Sequence, residues 1–180
     1  MRQHGPWQVL ATREVYRDPW IEVDCDQVIR PDGRPGTHSV VRMKPGVAVL
    51  ALDDTGHVHL TEEFHYGIGR DALEVVSGGI EPGEEALVTA QRELAEELGI
   101  RAAEWIDLGS VDPFTTIVVS PTRLFLARGL TFGSTECEGT ELIRRRAMPL
   151  AEAVDAAFSS RITHGASCVL ILKAQLFLNR

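Results

Sequence analysis

Positive charge is scarce in this chain, and so are cysteines and long apolar runs. The 18 Lys and Arg residues face 26 Asp and Glu, for a net charge of −8 at pH 7. No basic run is present to release counterions from a phosphate backbone, so nucleic acid and anionic membrane surfaces are not expected as partners. An acidic protein acting on an anionic small molecule needs local positive charge, and a metal ion would supply it. The 3 cysteines, Cys25, Cys137 and Cys168, lie far apart and form no CxxC pair. That excludes a disulfide framework and predicts a cytoplasmic protein. The opening MRQHGPWQVL lacks the apolar centre of a signal peptide. The longest apolar stretch, near Cys168 to Leu178, is interrupted by Lys173 and Gln175, so no membrane span is predicted. Histidines 57, 59, 65 and 164 are scattered without helical zinc spacing. Internal repeats and low-complexity segments are also missing.

What remains is an ordinary globular composition, 44% hydrophobic and 24% charged over 180 residues. TREVY and WIEVDCDQVI alternate enough to predict half-buried strands, and PDGRPG (Pro31–Gly36) a turn between them and a returning His38–Arg42. VAVLAL (Val47–Leu52) is almost wholly apolar, as for a strand covered on both faces, and DDTGH joins it to VHLT as a hairpin. Leu73–Val76, Trp105–Val111, Arg123–Ala127 and Leu142–Met148 read as further strands. Pro113–Pro121 reads as a loop. Pro149 suits the first position of a helix, and Ala166–Leu178 a closing helix with Val169, Leu172 and Leu176 inside.

The most informative stretch is Gly78–Ile100, GGIEPGEEALVTAQRELAEELGI. From about Glu84 to Leu98 it predicts an amphipathic helix that buries Leu87, Ala90, Leu94 and Leu98 and stops at Gly99. Glu93, Glu96 and Glu97 share one face. Like charges at this spacing each destabilise a helix by about 0.2–0.5 kcal/mol, so something must offset them. A solvated acidic face with Arg92 as a partner is one answer. A hard divalent cation such as Mg²⁺, which takes carboxylate oxygens and substrate phosphates, is the other.

The spacing favours the cation. Gly78, Glu84, Arg92, Glu93, Glu96, Glu97 and Gly99, with Leu94 and Ile100 aliphatic, reproduce the pattern Gly-x5-Glu-x7-Arg-Glu-U-x-Glu-Glu-x-Gly-U. Seven fixed letters coincide by chance on the order of 10⁻⁹ to 10⁻⁸ per start position. This stretch resembles the Nudix box, and the chain is identified by it as a member of the Nudix hydrolase family. The resemblance implies an α/β/α sandwich with a mixed sheet at residues 45–180, preceded by a small antiparallel sheet at 1–44. It also implies metal-dependent hydrolysis of a nucleoside diphosphate linked to another moiety, with Mg²⁺ or Mn²⁺ as cofactor.

Carried onto this chain, Glu93 and Glu97 match the principal metal ligands, Glu96 the third, and Ser77 the residue whose carbonyl completes the site. These three glutamates are the expected catalytic residues. Arg92 matches the arginine that ion-pairs within the box. Gly78, Glu84 and Gly99 are structural, Glu84 as a helix N-terminal charge or an Arg92 partner.

The order of Pro31-Asp32-Gly33, Pro45-Gly46, Gly69-Arg70 and Leu73-Glu74 resembles the ADP-ribose and ADP-sugar pyrophosphatases, which implies a homodimer swapped through the N-terminal sheet. It places Arg70, Glu74 and His65 at the substrate. Dinucleotides, coenzyme A and nucleoside triphosphates are the alternative substrates, and a nucleotide sensor without turnover the alternative function. The sensor is motivated by the loop before RLFLA. Ser120-Pro121 stands where those enzymes carry a glutamate, leaving Asp112, Glu136, Glu138 and Glu141 as candidate bases.

Overall fold

A computed structural model of the chain describes residues 1–134 and 142–180. The chain divides into two compact units, Met1–Pro45 with Asp112–Pro121, and Gly46–Val111 with Thr122–Arg180.

The first unit is a five-stranded sheet in the order β1-β2-β3-β4-β10: β1 (Arg2–His4), β2 (Trp7–Arg17), β3 (Ile21–Ile29), β4 (Pro35–Met43) and β10 (Val118–Val119). The turn expected at Pro31–Gly36 closes through Gly33 N–H donating to the Arg30 carbonyl, with Gly33 at φ +81°, so that β3 and β4 pair antiparallel from Ile21↔Met43 to Ile29↔Pro35. Part of the predicted loop at Pro113–Pro121 becomes a strand. Val118 and Val119 pair parallel to Val41 and Arg42 of β4, and Val41 N–H donates to the Ile117 carbonyl. From Leu10 to Arg17 every residue of β2 is exposed, Leu10, Val15 and Tyr16 among them.

The second unit is built on a seven-stranded mixed sheet, β12-β6-β5-β11-β9, with β7 added to β6 and β8 to β5. The strands are β5 (Gly46–Leu52), β6 (His57–His65), β7 (Arg70–Glu74), β8 (Val76–Gly79), β9 (Ile100–Val111), β11 (Thr122–Phe132) and β12 (Arg144–Pro149). β5 and β11 run parallel, and the other pairings are antiparallel. Strand alternation then sends Ala48, Leu50 and Leu52 to one face and Val47, Val49 and Ala51 to the other. The first set packs with α2 (Leu150–Phe158) and α3 (Gly165–Leu178), the second with α1 (Ala86–Leu98). This is the α/β/α sandwich the resemblance implied. All of Val47–Leu52 is buried, so VAVLAL is a strand covered on both sides. Truncating Leu50 to Ala would cost about 2–5 kcal/mol.

Three helix details differ from expectation. In α1 the buried residues are Thr89, Ala90, Leu94 and Leu98, while Leu87 is 39% exposed. Helical positions three apart sit about 60° from alignment, and the stripe descends by fours from Leu98 to Ala90, which leaves Leu87 at its edge. In α3 the buried residues are Ala166, Ser167, Leu170, Ile171 and Ala174, whereas Leu172 is 44% and Leu176 66% exposed. Apolar residues surround this helix, so periodicity alone could not choose its inner face. Pro149 precedes α2 as its cap (φ −54°, ψ 142°), because it is still paired with His57 as the last residue of β12.

Candidate active site

The box begins on β8, which is stitched to the central strand by the pairs Ala48↔Ser77 and Val47↔Gly78. A turn follows, in which Glu84 N–H donates to the Glu81 carbonyl at 2.9 Å and Gly83 takes φ +83°. Glu84 therefore lies two residues before α1 begins, not inside it as expected. From there its carboxylate reaches Arg92.

Arg92 is the hub of the box. Its Nε and Nη2 donate to the two Glu84 oxygens at 3.2 and 3.3 Å, and Nη2 also to the Gly79 carbonyl at 3.4 Å. Nη1 donates to Glu93 at 2.8 Å and to Glu96 at 3.0 Å. The guanidinium fork suits this, since one rigid, permanently charged group can serve several acceptors. Arg92, followed by the hydroxyl of buried Thr89, holds the Glu84 carboxyl down to about 2, and Glu84 in return raises Arg92 further above its usual range. Glu97, one turn past Glu93, is half-buried. One positive charge thus pairs with three carboxylates, Glu84, Glu93 and Glu96. Three carboxylates around one guanidinium offer oxygen ligands of the kind that cations take.

Both box glycines are required by close approach. A Cβ on Gly78 would lie 2.1 Å from the Glu93 carboxylate, so glycine alone lets that side chain rest on the strand. Gly99 takes φ +58° and ends α1 by donating to the Ala95 and Leu94 carbonyls. A Cβ there would also strike the Ser134 carbonyl at 2.6 Å. A groove of about 640 Å³ runs along the exposed face of α1, lined by Gln91, Arg92, Glu96, Arg101, Phe132 and Ser134.

The donors the box offers, three carboxylates and the Ser77 carbonyl, are all hard oxygens, the chemistry that Mg²⁺ or Mn²⁺ takes. The Glu93 and Glu96 side chains are drawn to Arg92. Among the described residues no three His, Cys, Asp or Glu groups already stand arranged to hold a metal ion. The donor set fits a divalent cation in kind, and Arg92 is bonded to one oxygen each of Glu93 and Glu96.

Of the residues expected at the substrate, His65 and Glu74 lie against each other. Glu74 sits between two imidazoles, His65 Nε2 3.2 Å from one oxygen and His164 Nδ1 3.2 Å from the other. Arg70 donates to the Thr163 hydroxyl at 2.9 Å, in the connection that precedes α3. His164 also lies 2.9 Å from the hydroxyl of buried Ser167. Sequence reasoning missed Thr89, His164 and Ser167. His164 is 90 positions beyond Glu74, so no spacing joins them. Asp112 and Ser120 fall in the first unit's Asp112–Pro121 segment. Glu136, Glu138 and Glu141 lie outside the described residues.

Comparison with known proteins decides the family. The NUDIX domain matches residues 42–164, well over half of the chain. The chain belongs to the NUDIX family. Its members generally use divalent metal ions and act on small-molecule nucleotides. Residues 7–41 of this NUDIX protein match the nucleoside diphosphate sugar hydrolase N-terminal domain. An ADP-ribose pyrophosphatase of Mycobacterium tuberculosis is 31% identical over 131 residues, 72% of this chain and 63% of that protein. The chain therefore spans less than two thirds of that relative's length. A CMP-5'-(N-acetyl-N-hydroxy-3-aminopropyl)phosphonate hydrolase of Streptomyces rubellomurinus is 31% identical over 169 residues, 92% of this chain and 81% of that protein. A solved structure described as an ADP compounds hydrolase superposes with a TM-score of 0.84 at 22% identity, covering 99% of this chain and 97% of its own, and shares the fold. Among the described residues no helix is long and apolar enough to cross a membrane.

Proposed function

We propose that this protein is a Mg²⁺- or Mn²⁺-dependent pyrophosphohydrolase that cleaves a nucleoside diphosphate linked to another moiety, with ADP-ribose or another nucleotide sugar as substrate. The observation that carries the reading is the Glu93 carboxylate resting on Gly78, within a cluster of three glutamates organised by one arginine. Such crowding destabilises the isolated protein and makes sense where cations bind. The relatives named above as hydrolases, and the N-terminal domain match, support the substrate class.

In this reading Glu93, Glu97 and the Ser77 carbonyl hold the cation, and Glu96 is the third ligand or orients the attacking water. A divalent ion there supplies Lewis-acid polarisation of the diphosphate and offsets charge in the transition state. Arg92 fixes the carboxylates, and Gly78 admits Glu93 to the strand. Water adds across the P–O–P linkage and two phosphomonoesters leave. The protein works in the cytoplasm, without nucleic acid or membrane, as a homodimer through residues 1–44. The wholly exposed length of β2 from Leu10 to Arg17 supports the dimer.

A nucleotide panel with Mg²⁺ tests the assignment. AMP released from ADP-ribose, in preference to nucleoside triphosphates, dinucleotides and coenzyme A, is the expected result. Tight ADP-ribose binding with no product under Mg²⁺ or Mn²⁺ would instead identify a nucleotide sensor, the reading favoured by Ser120-Pro121 standing where a loop glutamate is usual.

A further inference from the structure

Between β7 and β8 the chain changes partners. Glu74 pairs with Thr61 of β6, and Val76 with Val49 of β5. Val75, between them, belongs to neither ladder and is fully buried. A buried backbone N–H must still find an acceptor, and Val75 N–H finds the Ser167 hydroxyl at 3.1 Å, on the first turn of α3. That hydroxyl lies 2.9 Å from His164 Nδ1, and His164 Nδ1 lies 3.2 Å from Glu74 Oε2. Glu74 and Val75 are neighbours in the chain, so the contacts close into a ring around one peptide. His65 steadies the remaining Glu74 oxygen.

We propose that His164 is a positioning residue that sets the entry to the box through this ring. The inference rests on the reading of Ser77 and Glu93 as cation ligands. A protonated Nδ1 serves both acceptors, the carboxylate and the hydroxyl, and so fixes the peptide at which β7 hands over to β8. Ser77 follows two residues later. Gly78 follows three later, with no room to spare against Glu93. A small displacement of the peptide therefore moves the Ser77 carbonyl relative to the Glu93 carboxylate.

The supports of ligands typically change metal affinity about 10–100-fold when lost. The test compares the unchanged protein with His164→Ala and His164→Asn by calorimetric Mn²⁺ titration without nucleotide, and by amide hydrogen exchange at Val75. Asparagine places an amide nitrogen where Nδ1 stands. Loss of the imidazole should weaken Mn²⁺ uptake about tenfold and speed exchange at Val75 while Leu50 keeps its protection, and asparagine should restore both to within about twofold. Mn²⁺ affinity in His164→Ala equal to that of the unchanged protein would overturn the proposal. So would an asparagine variant no better than alanine, or faster exchange at Leu50 as well, which marks general loosening. If the unchanged protein takes up no Mn²⁺, the box reading fails, and exchange at Val75 alone still decides whether His164 fixes that peptide.

Discussion

Two carboxylate clusters in the same unit are held in opposite ways. In the box, one arginine with a permanent charge binds Glu84, Glu93 and Glu96, and the acids outnumber it. At Glu74 a single carboxylate is held by two imidazoles, so the partners outnumber the acid. The first arrangement leaves negative charge that a cation can satisfy. The second engages both oxygens of one carboxylate and ties down backbone. In the proposed function the crowded acids bind, and the paired acid is a support.

The comparison breaks most sharply at Glu97. Glu97→Gln should lower turnover by orders of magnitude with an unchanged circular dichroism spectrum, since the proposed cation would lose a ligand charge. Near-normal turnover would remove Glu97 from the metal site. Gly78→Ala comes next. Its Cβ must displace the Glu93 carboxylate, which is the free end of a flexible side chain. Turnover should therefore fall at least about tenfold, the loss expected for disturbed ligand positioning, with little change in Tm.

Stability separates the clusters further. Arg92→Met strips the charge-assisted bonds from three carboxylates and should destabilise by about 1–3 kcal/mol in denaturant titration. His65→Ala, at the exposed side of the Glu74 cluster, should cost less than about 1 kcal/mol.

The smallest effect is on acid stability. Glu84 is depressed from 4.5 to about 2 in the folded protein, chiefly by Arg92. A depressed carboxyl contributes stability above its unfolded value and loses it as pH falls through the folded value. Tm should thus decline between about pH 4.5 and pH 2, and Glu84→Gln should flatten part of that decline.

How far the sequence could be read follows the same contrast. Most of the inner face of α1 was legible because Ala90, Leu94 and Leu98 recur by fours beside the acidic residues, and its end because Gly99 takes the left-handed conformation. The central strand was legible from VAVLAL, which has no polar position to expose. The inner face of α3 was not, because GASCVLILKAQLFL is apolar nearly all round and only packing selects Leu170 and Ile171 over Leu172 and Leu176. Leu73–Val76 looked like one strand, since a change of pairing partner at Val75 leaves no mark in composition. Glu84, Arg92 and Glu93 were legible as a group from fixed spacing. The ring through His164 and Ser167 was not, because it forms only when α3 folds back on the sheet.

The central claim is that the surplus carboxylates of the box exist to hold a divalent ion. Calorimetric titration of Mn²⁺ into the unchanged protein and into a Glu93→Gln, Glu97→Gln double variant, each saturated with a non-hydrolysable ADP-ribose analogue, is the decisive test. Uptake by the former that vanishes in the latter is the expected result. Equal uptake by both, or none by the unchanged protein, would contradict it.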